Sequence, residues 1–280
     1  MATNERPVVL VTGATDGLGL SIARKLAAAD ETDLVLHGRR QDALDALVKE
    51  LSTQSVGRVC AVCADFTDLA SVAAASEVLA AKLSRLDVLI NNAGIGEAQP
   101  DSVERAVTRD GHELRLAVNY LGPALLTLNL LPLLSATADS RIVNVASIGQ
   151  REIDFDNIEL ERGYTGNRAY CQSKLALIMF GFMLASQFGD VGPTVNSLHP
   201  GTYMPTKIVM ESVGFSIDSL ENGTEATLRL ARGPELQGVT GQYFDGVRQA
   251  QANPQAYRAD DLRRLYEKTL ELLQDYRIAS

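Results

Sequence analysis

Short apolar, β-rich runs alternate along this chain with longer stretches whose apolar positions recur every three or four residues. The runs at 8–11, 34–37, 59–62, 88–91, 142–146, 195–199 and 241–244 predict seven strands. The stretches at 17–29, 42–52, 69–83, 111–134, 169–188 and 219–231 predict the helices between them. Such alternation implies a parallel sheet with helices on both faces. The strands are continuously apolar rather than alternating, as a sheet covered on both sides requires. A last helix at 258–276 carries Leu262, Leu265, Tyr266, Leu270 and Leu273 at helical spacing, a packing stripe. No linker divides the chain, so residues 1–280 read as a single doubly wound α/β domain.

In such folds ligands bind where strands end at their carboxyl sides. The first strand runs into Thr12-Gly13-Ala14-Thr15-Asp16-Gly17-Leu18-Gly19, which opens a helix. Glycines there let backbone turn sharply against a pyrophosphate, and the helix N-terminus offers free N–H groups to it. Placed between strand and helix, the loop predicts a Rossmann-type dinucleotide site. NAD binders place an acid at the end of the second strand to hold the ribose 2′-hydroxyl. Here that end reads His37-Gly38-Arg39-Arg40. A guanidinium pairs with phosphate, so Arg39, helped by Arg40, is expected to hold the 2′-phosphate of NADP(H). At the third strand's end, Asp65 is expected to accept from the adenine amino group, with Phe66 flanking the ring, and Asp68 to cap the next helix. After the fourth strand, the small run Asn92-Ala93-Gly94 lets backbone pass close to the cofactor, while Asn91 is expected to tie strands together.

The fifth strand delivers Ser147, and Tyr170 and Lys174 follow on one face of a helix, four residues apart. Hydride arriving at a carbonyl leaves an alkoxide that needs a proton. A phenol ordinarily holds its proton too tightly to exchange it near neutral pH; an adjacent ammonium favours the phenolate. Tyr170 is therefore expected to be the acid/base, Lys174 its tuner, and Ser147 the donor to the developing oxyanion.

These pieces, in this order, resemble the short-chain dehydrogenase/reductase superfamily over 8–244. The matching residues are Thr12–Gly19, Asn91–Gly94, Asn119, Ser147, Tyr170–Lys174 and Pro200-Gly201. Within the superfamily, His37-Gly38-Arg39, the run 169–176 and Gly241-Gln242-Tyr243-Phe244 look like the retinol-dehydrogenase-like branch. The resemblance implies NADP(H) and a hydrophobic carbonyl or alcohol substrate. It also implies that Asn119 bends the long helix and links Lys174 through water to a proton relay, a role the residues alone do not reveal. It further implies that Pro200, Gly201 and Thr202 border the cofactor, and that the two long apolar helices pair in a homodimer. Two departures stand out. Pro205 occupies the place where relatives often carry a threonine against the nicotinamide amide, leaving backbone or Thr202 to serve. The segment 150–167 lengthens the interval between Ser147 and Tyr170; it is expected either at the pocket rim or as a solvated loop, and could block the dimer. Residues 203–217, with Met204, Ile208, Val209, Met210, Val213 and Phe215, are expected to form an apolar lid over the site or a helix packed on the core.

Composition narrows this reading. A net charge of −9 without a basic stripe argues against nucleic acid or anionic membrane as a partner. The longest apolar run, 176–185, is too short for a bilayer span, and no anchor of the kind many retinol dehydrogenases carry is visible. A cytoplasmic enzyme with no membrane contact is therefore expected. Cys60 and Cys63 lie on a strand, where a spacing of three points side chains to opposite faces, and the three histidines are scattered; no metal site is expected. Sugar-nucleotide epimerases share the Tyr-Lys pair but use a different glycine loop and a larger C-terminal region. The remaining alternative is a non-catalytic NADP(H) sensor or partner-binding protein on the same fold, which would have no need of Asn119, Ser147, Tyr170 and Lys174.

Overall fold

The computed structural model describes residues 6–29, 32–98, 104–189, 191–206, 209–210 and 214–278. The seven apolar runs become strands β1 (Val8–Val11), β2 (Asp33–Gly38), β3 (Val59–Cys63), β4 (Val88–Asn91), β5 (Arg141–Val145), β6 (Thr194–His199) and β7 (Tyr243–Asp245). The seven expected parallel strands all form, and an eighth, β8 (Arg248–Ala250), adds an antiparallel edge beside β7. The sequence Arg-Gln-Ala carries no apolar signal because β8 is an exposed edge that buries little. The sheet order is β3-β2-β1-β4-β5-β6-β7-β8. Chain direction along the sheet reverses between β1 and β4, which opens the ligand crevice between the loops that follow them.

Helices α1 (Gly17–Ala29), α2 (Gln41–Leu51) and α6 (Leu220–Arg232) cover one face. Helices α3 (Leu69–Lys82), α4 (Leu114–Ala136), α5 (Gly166–Phe188) and α7 (Ala259–Leu273) cover the other. By length and composition α4 and α5 would each suffice to cross a bilayer, contrary to the sequence reading; most of their surface is buried in the fold, which identifies them as core helices. Helix α7 lies along α5: Tyr266 stacks on Phe180 with centroids 6.3 Å apart, and Thr269 hydrogen-bonds the buried Tyr120 hydroxyl of α4. The segment after α7 fastens to α4 as well, with Ile278 N donating to Asn129 Oδ1 at 3.0 Å.

The 150–167 segment is docked rather than solvated. Ile153, Ile158 and Leu160 are buried. Gln255 bonds Ile153 through both its amide atoms, and Arg264 of α7 pairs with Asp156 at 2.6 Å. On the exposed strand β3, Cys60 and Cys63 are free thiols. Among the described residues no group of three metal-ligating side chains assembles.

Candidate active site

The glycine loop is built on Thr12. Its buried hydroxyl donates to Ile90 O and accepts from the backbone N–H groups of Asn92 and Ala93 at 2.8 and 3.0 Å, locking the ends of β1 and β4 together. The Asn92 amide donates to Thr12 O at 2.8 Å. Gly13 and Gly17 hold positive φ of 66° and 52°, and a Cβ on Gly19 would sit 2.2 Å from Gly13 O, so no other residue type fits there. Asp16 accepts from Gly17 N at 2.7 Å, and Leu18 anchors the helix start in the core. Thr15 lies against Gly38, its methyl 3.1 Å from where a Cβ would be.

His37 escaped the sequence reading as a site residue. It is buried, and burial pulls its imidazole down to about 4, so it is neutral. Its Nε2 bonds Ala64 O at 3.2 Å, and its Nδ1 accepts from Gly13 N at 3.4 Å, so the ring braces the glycine loop against β3. A histidine ending an apolar strand, one residue before Gly38, was the available signal. Phe66 stacks on that ring at 4.5 Å between centroids and closes against Gly122. The expectation that Phe66 flanks an adenine is corrected: its side chain is core, committed to His37 and α4. The Asp65 carboxylate accepts from Thr67 N at 2.9 Å, and Asp68 caps α3 through Ser71 N, as expected. Arg39 is exposed and makes no hydrogen bond or ion pair among the described residues. Arg40 is turned away to Asp42.

At the other end of the crevice, Asn91 donates to Asn144 Oδ1 at 2.9 Å and so ties β4 to β5, as expected. Helix α4 opens into a π turn over Ala117–Leu121, centred on Asn119. The extra residue per turn bends the helix and frees Asn119 to grip the loop after β4. Its Oδ1 accepts from Ile95 N at 2.8 Å and its Nδ2 donates to Ile95 O and to Ser173 Oγ. A Cβ on Gly94 would stand 3.0 Å from Asn119 Oδ1 and 3.3 Å from Lys174 Nζ. The floor between those groups is therefore open only because residue 94 is glycine.

Ser147, Tyr170 and Lys174 converge above that floor. Ser147 Oγ accepts from Gly149 N at 3.0 Å, while its carbonyl accepts from the Tyr243 hydroxyl and the Gln150 amide, both at 3.0 Å. Lys174 Nζ donates to Val145 O at 3.0 Å and lies 6.0 Å from the Tyr170 ring centroid. Burial draws the Lys174 ammonium down to about 8. Burial also raises the Tyr170 phenol above its ordinary value, against a hydrogen bond from Ser147 that favours phenolate. Desolvation is the largest influence on the phenol, and the hydrogen bond from Ser147 opposes it.

Thr202 faces two partners already: its N–H donates to Asp218 Oδ2 at 2.6 Å and its hydroxyl bonds His199 Nε2 at 3.1 Å. The ends of the 203–217 segment are tied together, where Asp218 N donates to Thr202 O and Ile217 N to Tyr203 O. Met204 is buried, whereas Met210 and Phe215 are exposed; Ile208 and Val213 lie outside the described residues. Thr206, the threonine displaced by Pro205, brings its methyl within 3.2 Å of the Gly17 Cβ position, so this segment folds back over the glycine loop.

A glycine loop at a helix N-terminus, a guanidinium after β2 with no partner among the described residues, and a serine–tyrosine–lysine cluster over a glycine floor fit a nicotinamide dinucleotide at one end and a reacting carbon at the other. The family model described as short chain dehydrogenase matches residues 7–214. The chain belongs to the short-chain dehydrogenase family. Among curated relatives of this short-chain dehydrogenase, retinol dehydrogenase 13 of Homo sapiens is 34% identical over 293 residues, covering 97% of this chain and 86% of the relative. Retinol dehydrogenase 11 of Homo sapiens is also 34% identical, covering 95% and 85%. A short chain dehydrogenase structure from Salmonella enterica superposes with a TM-score of 0.70 at 21% identity, covering 86% of this chain and 96% of that one, a likeness of fold. As a short-chain dehydrogenase the protein is an oxidoreductase of the nicotinamide-dependent kind.

Proposed function

We propose that this enzyme interconverts a carbonyl and an alcohol on a hydrophobic small molecule with NADP(H), and that Tyr170 is its acid/base. The observation that carries the reading is the joint presence of Ser147, Tyr170 and Lys174 above the Gly94–Asn119 floor. When bound, the nicotinamide supplies or accepts the hydride. In the direction of reduction, Ser147 Oγ donates a hydrogen bond to the carbonyl oxygen, and the Tyr170 hydroxyl gives its proton to the alkoxide. Burial keeps that phenol protonated, which suits a donor. Lys174 and Asn119 hold a polar path through which the proton on Tyr170 is replaced.

The backbone of Gly13, Thr15, Asp16, Gly17, Leu18 and Gly19 would hold the pyrophosphate, Asn92, Ala93 and Gly94 the ribose, and Pro200, Gly201 and Thr202 the nicotinamide. Arg39 would hold the 2′-phosphate, because it makes no hydrogen bond or ion pair among the described residues, whereas Arg40 is held by Asp42. The names of the retinol dehydrogenase relatives support a hydrophobic substrate, as do the apolar side chains of the lid. The exposed free thiols of Cys60 and Cys63 suit the reducing cytoplasm.

Titration with NADPH and NADH, read by nicotinamide fluorescence, tests the cofactor, and turnover of apolar ketones and aldehydes tests the chemistry. Tyr170→Phe is expected to bind NADPH like the parent and to lose at least about 1000-fold in kcat. Arg39→Asp is expected to lower the NADPH/NADH affinity ratio by about 100-fold, the loss of two charge-assisted bonds. An unchanged ratio would remove Arg39 from the phosphate site, and a fully active Tyr170→Phe would sink the mechanism.

A further inference from the structure

Glu97 lies in the connection between β4 and α4, and nothing in the catalytic reading uses it. Its placement is over-determined. The guanidinium of Arg115, fully buried in α4, donates to Gly96 O at 3.0 Å and to Glu97 O at 2.6 Å. The Glu97 carboxylate accepts from the Asn167 side-chain amide at 2.5 Å. Asn167 stands on α5 three residues before Tyr170, and its Oδ1 faces the thiol of Cys171 at 3.9 Å. That thiol, Ser147 Oγ and Tyr170 Cε1 converge on one point above Gly149, at 3.3, 3.4 and 3.6 Å from the position of a Cβ there. A single amide thus bridges the carboxylate to the wall of the reaction site.

We propose that Glu97 is a specificity-determining residue of this short-chain dehydrogenase, which turns away substrates carrying an anionic group next to the reacting carbonyl. The inference rests on the catalytic reading of Ser147 and Tyr170. Its basis is a carboxylate held by Asn167 beside a site whose polar groups are the Ser147 and Tyr170 hydroxyls and the Lys174 ammonium, with the Arg151 cation on the side of Cys171. The Glu97 carboxylate makes no ion pair among the described residues. Arg115 nearby is balanced by Glu113, 3.6 Å away. The surroundings of Tyr170 report the charge. After burial, the phenol is pushed up by Cys171 and Glu97, while Ser147 opposes. The Cys171 thiol is raised by burial and by Glu97, with Arg151 as the opposing cation. A carboxylate or phosphate beside the carbonyl would meet the same field as the phenolate does, and be disfavoured with it.

The test compares benzoylformate, an anionic α-keto acid, with its neutral methyl ester in the intact enzyme with NADPH. Glu97→Gln keeps an acceptor oxygen for Asn167 and removes the charge. The ratio of kcat/KM, acid over ester, is expected to rise about fivefold in Glu97→Gln, the size of a unit charge acting across a half-buried site. A ratio that stays put, including one in which both substrates fall together, overturns the proposal and leaves Glu97 a structural clamp. A second reading needs no turnover: the ionisation of Tyr170, followed by the NMR shift of 13Cζ-labelled tyrosine and assigned with Tyr170→Phe. Its midpoint is expected to move to lower pH in Glu97→Gln; an unmoved midpoint overturns the proposal even if neither substrate reacts. Failure of the parent enzyme to turn over the ester, with the midpoint shifted as expected, counts against the catalytic reading and not against Glu97.

Discussion

Lys174 shows how far the chemistry of a single residue is set against stability. Its amine sits beside Val145 O with burial drawing it down to about 8 from 10.5, so folding favours the neutral form. Between those two values the unfolded chain binds more protons than the folded one, and stability rises with pH across that window; below about 8 the penalty is constant. Lys174→Met removes a cost of about 3 kcal/mol and a hydrogen bond worth roughly 1–2 kcal/mol. It is therefore expected to be about 1–2 kcal/mol more stable at pH 7, inactive, and to lose its advantage as pH approaches 10.5, as denaturant titrations at several pH values would record. The meeting of Ser147, Tyr170 and Lys174 in one place was legible in the sequence from their types and their order along the chain. His37 and Phe66 were not. Whether an aromatic ring at a strand's end faces a ligand or the core depends on which helix lies over it, and only the fold placed Gly122 there.

At the scale of elements, the alternation of apolar runs located β1, β4 and α1 at their observed bounds. The features it missed are those in which backbone departs from a regular period. The π turn of α4 leaves no mark on the apolar pattern, and β8 is polar because one edge of a sheet need not be buried. The 150–167 segment read as a polar loop since its acids are conspicuous and its three buried residues are not. It is held to the site through Arg115, whose guanidinium reaches Tyr164 at 2.5 Å as well as the carbonyls of Gly96 and Glu97. Arg115→Met would leave those carbonyls and the Glu113 carboxylate buried with fewer partners. It is expected to cost about 3–5 kcal/mol and to lower the melting temperature by roughly 10 °C, measurable by calorimetry. A shift within error would mean the clamp relaxes around the loss.

Taken as a whole molecule, the doubly wound architecture and the position of its crevice followed from the order of elements, whereas the surface left open after folding did not. The apolar helices expected to pair two copies are already covered on the side where α7 lies, through Tyr120, Phe180 and Asn129. The homodimer expectation loses part of its surface thereby, and a monomer sedimenting at 30.1 kDa is predicted. A mass twice that would show that a second copy uses another face. Truncation before α7 is expected to expose the α4–α5 face and bring self-association.

That covering has a consequence in time. Tyr120 meets Thr269 across 149 positions of sequence, and Asn129 meets Ile278 across another 149. A ribosome delivers the chain from its N-terminus, so α4 and α5 emerge well before the helix that shields them. Throughout that interval the nascent protein carries a long greasy stripe with no native partner, and contacts this distant in sequence are slow to close. Production of this enzyme in a cell should therefore depend on holdase chaperones that bind during synthesis and leave once the last turn of α7 is free.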